Sequence, residues 1–240
     1  MADDELIIGH RNSEWTGLGP IIEEDISFSS MAQDKIGHAL ALYTILQETF
    51  GEPDPDTVAF LRPGKEFKCC HFTEMPNGEY DFSLIRHFLF DHAEKIRYEY
   101  LESSSEQNLV NLAKKITGEL KYPVLHADTF IHQLGNGSEE SHARLQTAIN
   151  ECFDQSLGIF ELGEFEQELI DNKVFPGEKA LRSRWFEEIT PVLEGAKLKL
   201  PDIKNEEVGF GGRKGHHTEH LQPLLDEMSE VLTIDPETKW

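Results

Sequence analysis

The chain has 240 residues, 38% of them hydrophobic and 28% charged, which suits one large globular domain or a domain with an appendage. Its 22 Lys and Arg against 45 Asp and Glu leave a formal charge of −23. That charge argues against nucleic acid as a partner, because phosphate backbones are bound by clustered basic side chains.

No apolar run approaches the roughly 18–20 residues of a membrane span, and the opening MADDELIIGH lacks the basic flank and apolar stretch of a signal peptide. The three cysteines, Cys69, Cys70 and Cys152, are odd in number and include an adjacent pair. They form neither a disulfide framework nor a CxxC pattern and read as reduced thiols of a cytoplasmic protein.

Hydrophobic periodicity is helical almost throughout. A first helix from about Asp3 to Trp15 carries Leu6, Ile7 and Ile8 and stops at TGLGP. A second starts near Pro20, a residue favoured at a first helical position, with Glu23, Glu24 and Asp25 at its positive end. Ile36, Ala39, Leu40, Tyr43 and Leu46 mark its apolar face before the breaker FGEPDPD. Residues 53–80 carry the turn signals RPGK and MPNGE and read as a crossover. A third helix, about Asp81 to Leu101, sets Leu84, Ile85, Phe88, Leu89, His92 and Ile96 on one face.

The turn ESSSEQ offers a serine cap to a fourth helix, about Asn108 to Leu134, which ends at LGNGS. Pro123 lies deep inside that helix and is expected to kink it or remove a backbone bond. Accessory helices follow between about 140 and 240: one over Glu140–Phe160, one over Leu181–Leu193 with Trp185 and Phe186, and a terminal one with Leu221, Leu224, Leu225, Met228 and Leu232 on one side. The predicted fold is a single all-α domain over 1–240, a ferritin-like antiparallel four-helix bundle with one long crossover and extra C-terminal helices.

A di-iron bundle needs about four acids and two histidines facing inward, with an ExxH step on each of two helices, because residues i and i+3 share a face. No bundle helix here carries ExxH. Lys35 precedes His38 by three, and Glu119 is followed by Tyr122 and Pro123. The remaining acids, Glu5, Asp34, Asp91 and Glu119, read as core-flanking groups paired with cations, against the alternative of a metal site using Asp34, His38, His92, Glu94 and Glu119.

In GGRKGHHTEHL, residues 211–221, His216 and His220 bracket Glu219, but in the wrong order for HExxH. Thr218 reads as an N-cap with Glu219 in the first helical turn, and Arg213 and Lys214 add positive charge. A zinc site of His216, His217 and His220 is the competing reading. In LRPGKEFKCC, residues 61–70, Arg62, Lys65 and Lys68 form a basic patch for a phosphate-bearing ligand or an acidic partner, or else an ordinary solvated turn.

The stretches EWTG, EFK followed by MPNG, LGNG with LQTAIN, and GGRKGHHTEHLQPLLDEM, in order from Glu14 to Trp240, resemble the C subunits of ring 1,2-phenylacetyl-CoA epoxidases. These are bacterial multicomponent monooxygenases of aerobic phenylacetate degradation. The resemblance implies a ferritin-like scaffold paralogous to the catalytic A subunit, with a small B subunit and a transiently bound reductase as further partners. It also implies phenylacetyl-CoA as substrate, a homodimer in isolation, no cofactor in this chain and a di-iron centre in the partner.

Against the catalytic pattern, the resemblance places the first acid at Glu5, a degenerate ExxH at Lys35 and His38, the third-helix acid at Asp91, and a second lost ExxH at Leu120 and Pro123. The ammonium of Lys35 is expected to replace the metal and pair with Glu5 or Asp91. The resemblance leaves Arg62, Lys65, Glu66, Phe67, Lys68 and Cys69 as candidates for acyl-CoA or partner contact. It marks Gly212, Lys214, His217, Thr218, Glu219 and His220 as the C-terminal motif.

Overall fold

The computed structural model describes residues 1–234; residues 235–240, the end of the stretch that carries the resemblance, lie outside the described residues. Among the described residues the protein is all-α, in keeping with the ferritin-like class. Its eleven α-helices are α1 Ala2–Ser13, α2 Ile22–Phe50, α3 Pro55–Phe60, α4 His71–Glu74, α5 Tyr80–Leu101, α6 Gln107–Glu119, α7 Lys121–Gly135, α8 Glu139–Ser156, α9 Glu166–Asp171, α10 Glu178–Gly195 and α11 Leu221–Ile234. No helix among them is long and apolar enough to cross a membrane. The three cysteines are free and buried.

The chain forms two compact units. One comprises Met1–Pro76 and the stretch from Gly211 onward, and the other Asn77–Phe210. In the first, α1 packs along α2, and α11 returns against the crossover segment. Gly9 permits the close approach of the two helices: a Cβ there would lie 3.0 Å from the Cβ of Lys35 and 3.3 Å from the backbone nitrogen of Ile36. Leu6, Ile7, Ala39, Tyr43, Phe67, Leu221 and Leu224 form a shared apolar core.

The buried stripe of α2 runs Glu24, Ser27, Phe28, Met31, Ala32, Lys35, His38, Ala39, Leu42 and Tyr43. Of the apolar residues read along this helix, Ala39 and Tyr43 are buried, and the reading is corrected for Ile36, Leu40 and Leu46, which are exposed. Two ionisable residues, Lys35 and His38, occupy core positions, so hydrophobicity points to a face rotated away from the buried one. Pro20 does not open α2 either. The helix begins at Ile22, after Ile21 in extended conformation, and closes on Gly51 in the left-handed region (φ 74°).

In the second unit α5 is buried nearly all round, and α6, α7, α8 and α10 all pack against it. The fourth bundle helix is two helices, α6 and α7, divided at Leu120. Pro123 has no N–H for the carbonyl of Glu119, and its ring crowds that carbonyl, so the break falls beside residue 119. Trp185 donates from Nε1 to the carbonyl of Leu89 (2.8 Å), fixing α10 on α5. No serine caps the fourth helix: Glu106 holds the N-cap position without a side-chain cap bond, and Ser104 Oγ accepts from the N–H of Glu106 (3.1 Å) in the turn before it.

Candidate functional site

The first turn of α1 supplies three successive acids, Asp3, Asp4 and Glu5, all buried. Glu5 faces α2. Lys35 Nζ lies 3.3 Å from Glu5 Oε2 and His38 Nδ1 lies 3.5 Å from the same oxygen. Exposure is 0% for Glu5, 1% for Lys35 and 3% for His38, so the carboxylate and ammonium meet out of water. The i, i+3 step from Lys35 to His38 presents both side chains to one acid. Asp34, one residue before, is only half-buried.

The other positions of the catalytic pattern fall in the second unit. Asp91 pairs with His87 (2.5 Å) within α5. Leu120 and Pro123 are buried and bring no metal-donor atom. His92 meets Asp128 (2.9 Å) and Glu188 (3.6 Å). Burial works against the charged form of His92, but the bonds to Asp128 and Glu188 outweigh it and raise its pKa. Glu94 bonds Arg97 (3.2 Å), and Glu119 lies 3.7 Å from Lys115. Glu94 and Glu119 are thus paired with cations, and Asp91 faces an imidazole.

A second constellation joins the crossover segment to the C-terminal motif. Asp3 accepts from Tyr43 OH (2.5 Å), Arg62 Nη2 (2.6 Å) and the Lys68 N–H (2.7 Å). Burial first, then Asp3, push the Tyr43 phenol well above its ordinary range. Asp4 accepts from the Cys70 N–H (2.8 Å) and Arg213 Nη1 (2.5 Å). Burial opposes its charge, yet Arg213 and the N-terminal ammonium hold its pKa far below the ordinary value. Arg213 also donates to the Lys68 carbonyl (2.7 Å). Gly212 sits so close that a Cβ would lie 2.0 Å from the Cys69 carbonyl oxygen, and at Gly215 2.2 Å from that of Lys65.

Of the six crossover residues named as contact candidates, Phe67 and Cys69 are fully buried and Arg62 is engaged with Asp3 over the Phe67 ring. Lys65, Glu66 and Lys68 are exposed. Lys214 is exposed too, beside Gly215, which lies near Lys68 Nζ.

Glu74, on α4, organises the motif and carries no sequence signal of its own. Its Oε2 accepts from the Thr218 N–H (2.8 Å) and Oγ1 (2.6 Å), its Oε1 lies 2.7 Å from His217 Nδ1, and its carbonyl accepts from Arg11 Nη2 (2.8 Å). The helix α11 starts at Leu221, so Glu219 precedes it. Thr218 still makes the capping contacts expected of it: its Oγ1 donates to Glu74 while accepting from the His220 N–H (3.3 Å), and its carbonyl accepts from the Leu221 N–H (3.4 Å). The zinc reading is corrected in its ligands: the group of three donors that converges among the described residues is Cys69, Glu74 and His217, without His216 or His220.

An all-α protein with buried acids on its first helix, set against cations of other segments, belongs to the class of ferritin-like helical proteins. The chain belongs to the family described as phenylacetic acid catabolic protein, which it matches over residues 1–240. It is 28% identical over 240 residues to the C subunit of 1,2-phenylacetyl-CoA epoxidase from Escherichia coli (strain K12), covering 100% of this chain and 96% of that relative.

Proposed function

We propose that the chain is a non-catalytic, cytoplasmic subunit of a multicomponent phenylacetyl-CoA epoxidase in phenylacetate degradation, pairing with a di-iron subunit that carries out the chemistry. The observation that carries this reading is the buried Lys35–Glu5 pair in a chain that matches the C subunit of such an enzyme along its length. A di-iron centre calls for several carboxylates to balance its charge. Here one first-helix acid already has an ammonium, and the second ExxH step is Leu120 and Pro123, which ligate nothing. The residues do not fit the cofactor.

Assembly is supported by α2. Ile22, Ile26, Ile36 and Leu40 are exposed and fall within one side of that helix. They span about 27 Å at 1.5 Å per residue. Two exposed apolar pairs, Ile22 with Ile26 and Ile36 with Leu40, separated by Ser29 and Gln33, suit burial against a partner subunit. Lys65 and Lys68 are the exposed cations assigned to the phosphates of the acyl-CoA.

The test is reconstitution with a paralogue carrying two intact ExxH motifs. Epoxidation of phenylacetyl-CoA is expected only in the mixture, with little iron in this chain purified alone. Turnover by this chain alone, or near-stoichiometric iron in it, sinks the reading. Ile36→Glu with Leu40→Glu should abolish co-elution while the chain stays folded. Lys65→Glu with Lys68→Glu should raise the apparent KM for the acyl-CoA, and a loss of assembly alone would reassign that patch to subunit contact.

A further inference from the structure

The His217 ring has an acceptor at each nitrogen. Nε2 lies 3.0 Å from the carbonyl oxygen of Phe67, and Nδ1 lies 2.7 Å from Glu74 Oε1. A carbonyl only accepts, so Nε2 bears hydrogen and fixes the tautomer. Nδ1 and the carboxylate then share a proton between them. The Cys69 sulfur is 3.6 Å from the same Oε1 and 3.9 Å from the same Nδ1. Glu74 and Cys69 are fully buried, and His217 is nearly so.

We propose that Cys69 Sγ, Glu74 Oε1 and His217 Nδ1 form a binding site for a divalent ion of the zinc class, which pins the crossover segment to the C-terminal motif. The donor set is one thiolate, one carboxylate and one imidazole, which zinc accepts in tetrahedral geometry with a fourth position left for water or an added ligand. The Nε2–H to Phe67 and the two bonds from Thr218 to Glu74 Oε2 are the outer contacts that orient ligands in such sites. Bond lengths of about 2.0–2.3 Å place tetrahedral donors roughly 3.4–3.6 Å apart. The two sulfur separations are near that value already. The Nδ1–Oε1 gap has to open by about 0.7 Å when an ion replaces the shared proton.

The exchange balances in charge. Without the ion, the neutral thiol and the proton shared by His217 and Glu74 make the trio neutral. With it, two positive charges meet one thiolate, one carboxylate and a neutral imidazole, again neutral. One ion therefore enters and two protons leave, one from Cys69 and one from the shared position. Burial, and then the carboxylates of Glu74, Asp4 and Asp3, hold the thiol in its protonated form. Thiolate formation at this position accordingly calls for a cation in direct contact.

The full-length chain, stripped with a chelator, is titrated with cobalt(II) as the probe and then with zinc(II). One cobalt per chain should give a thiolate-to-metal charge-transfer band in the near ultraviolet, zinc should erase it, and about two protons should be released per ion. Zinc at a hundredfold excess over its dissociation constant should raise the melting temperature by about 5–10 °C. Cys69→Ser should lose the band and the thermal shift, while Cys70→Ser and Cys152→Ser keep both. Helical circular dichroism establishes that each variant folds. If Cys69→Ser fails to fold, the proton count and the band in the Cys70→Ser, Cys152→Ser double variant decide instead, since Cys69 is then the remaining thiol. No band, a band that survives Cys69→Ser, or weak binding at more than one ion per chain, meaning an adventitious ion only, would overturn the proposal.

Discussion

Replacing Lys35 by Met removes the ammonium that faces Glu5 and keeps most of the aliphatic bulk. Glu5 is 0% exposed, so the carboxylate left behind has no access to water. Breaking a buried pair from one side costs about 3–5 kcal/mol, mostly the penalty of the stranded charge. In a chain of 240 residues each kcal/mol shifts Tm by about 2–4 °C, so Lys35→Met should melt roughly 6–20 °C lower at pH 8.

His38 shares that acid: its Nδ1 is 3.5 Å from the same carboxylate oxygen. The double variant Glu5→Gln, Lys35→Met removes both charges and should return to within about 1 kcal/mol of the parent. Thermal melts of the two singles and the double at pH 8 complete the cycle. A Lys35→Met variant within 1–2 °C of the parent at pH 8, or a double variant that loses the sum of the singles, would refute the claim that the ammonium neutralises Glu5.

Other expectations follow from the same geometry. Burial acts to raise the Glu188 pKa, but hydrogen bonds from His92 and Lys95 and the charges of Lys95 and Arg184 take it down to about 2. Its stabilisation is therefore present above about pH 4.5 and lost as the pH falls toward 2, so Glu188→Gln should flatten the acid side of the stability–pH curve. His92 has a raised pKa, so its contribution is complete below about pH 6.5 and fades above it; His92→Gln should lack that alkaline decline in denaturant melts. Gly212→Ala forces a Cβ onto the Cys69 carbonyl and should cost about 1–3 kcal/mol. Gly37→Ala on the open side of α2, where a Cβ meets nothing within 4 Å, should stabilise by roughly 0.5–1 kcal/mol.

Helices with one strong period were legible in the sequence. The predicted face of α5, Leu84 through Ile96, is buried as read, α8 falls close to its predicted bounds, and on α11 Leu221, Leu224 and Leu225 are buried as expected. The face of α2 was not legible, because its core positions include Lys35 and His38, whose reason for burial is an acid on another helix. Pro123 announced a disturbance, and the structure locates it at Leu120. The short helices α3, α4 and α9 were missed, since four to six residues are too few to display a period. The two basic motifs were each visible, but their union was not. Arg213 reaches the Lys68 carbonyl across 145 positions, and only folding brings them together. Glu74 stayed hidden for the same reason: its partners Thr218 and His217 lie 144 and 143 residues away.

The Lys35 ammonium has one more consequence. An ion held by coordination is drawn from a cellular pool and can be scavenged, lost or exchanged for a competitor. A cation on the end of a lysine side chain is made with the chain, present at one copy per molecule, and cannot dissociate from Glu5 into solution. The α1–α2 pair can thus reach its final packing without drawing on any such pool.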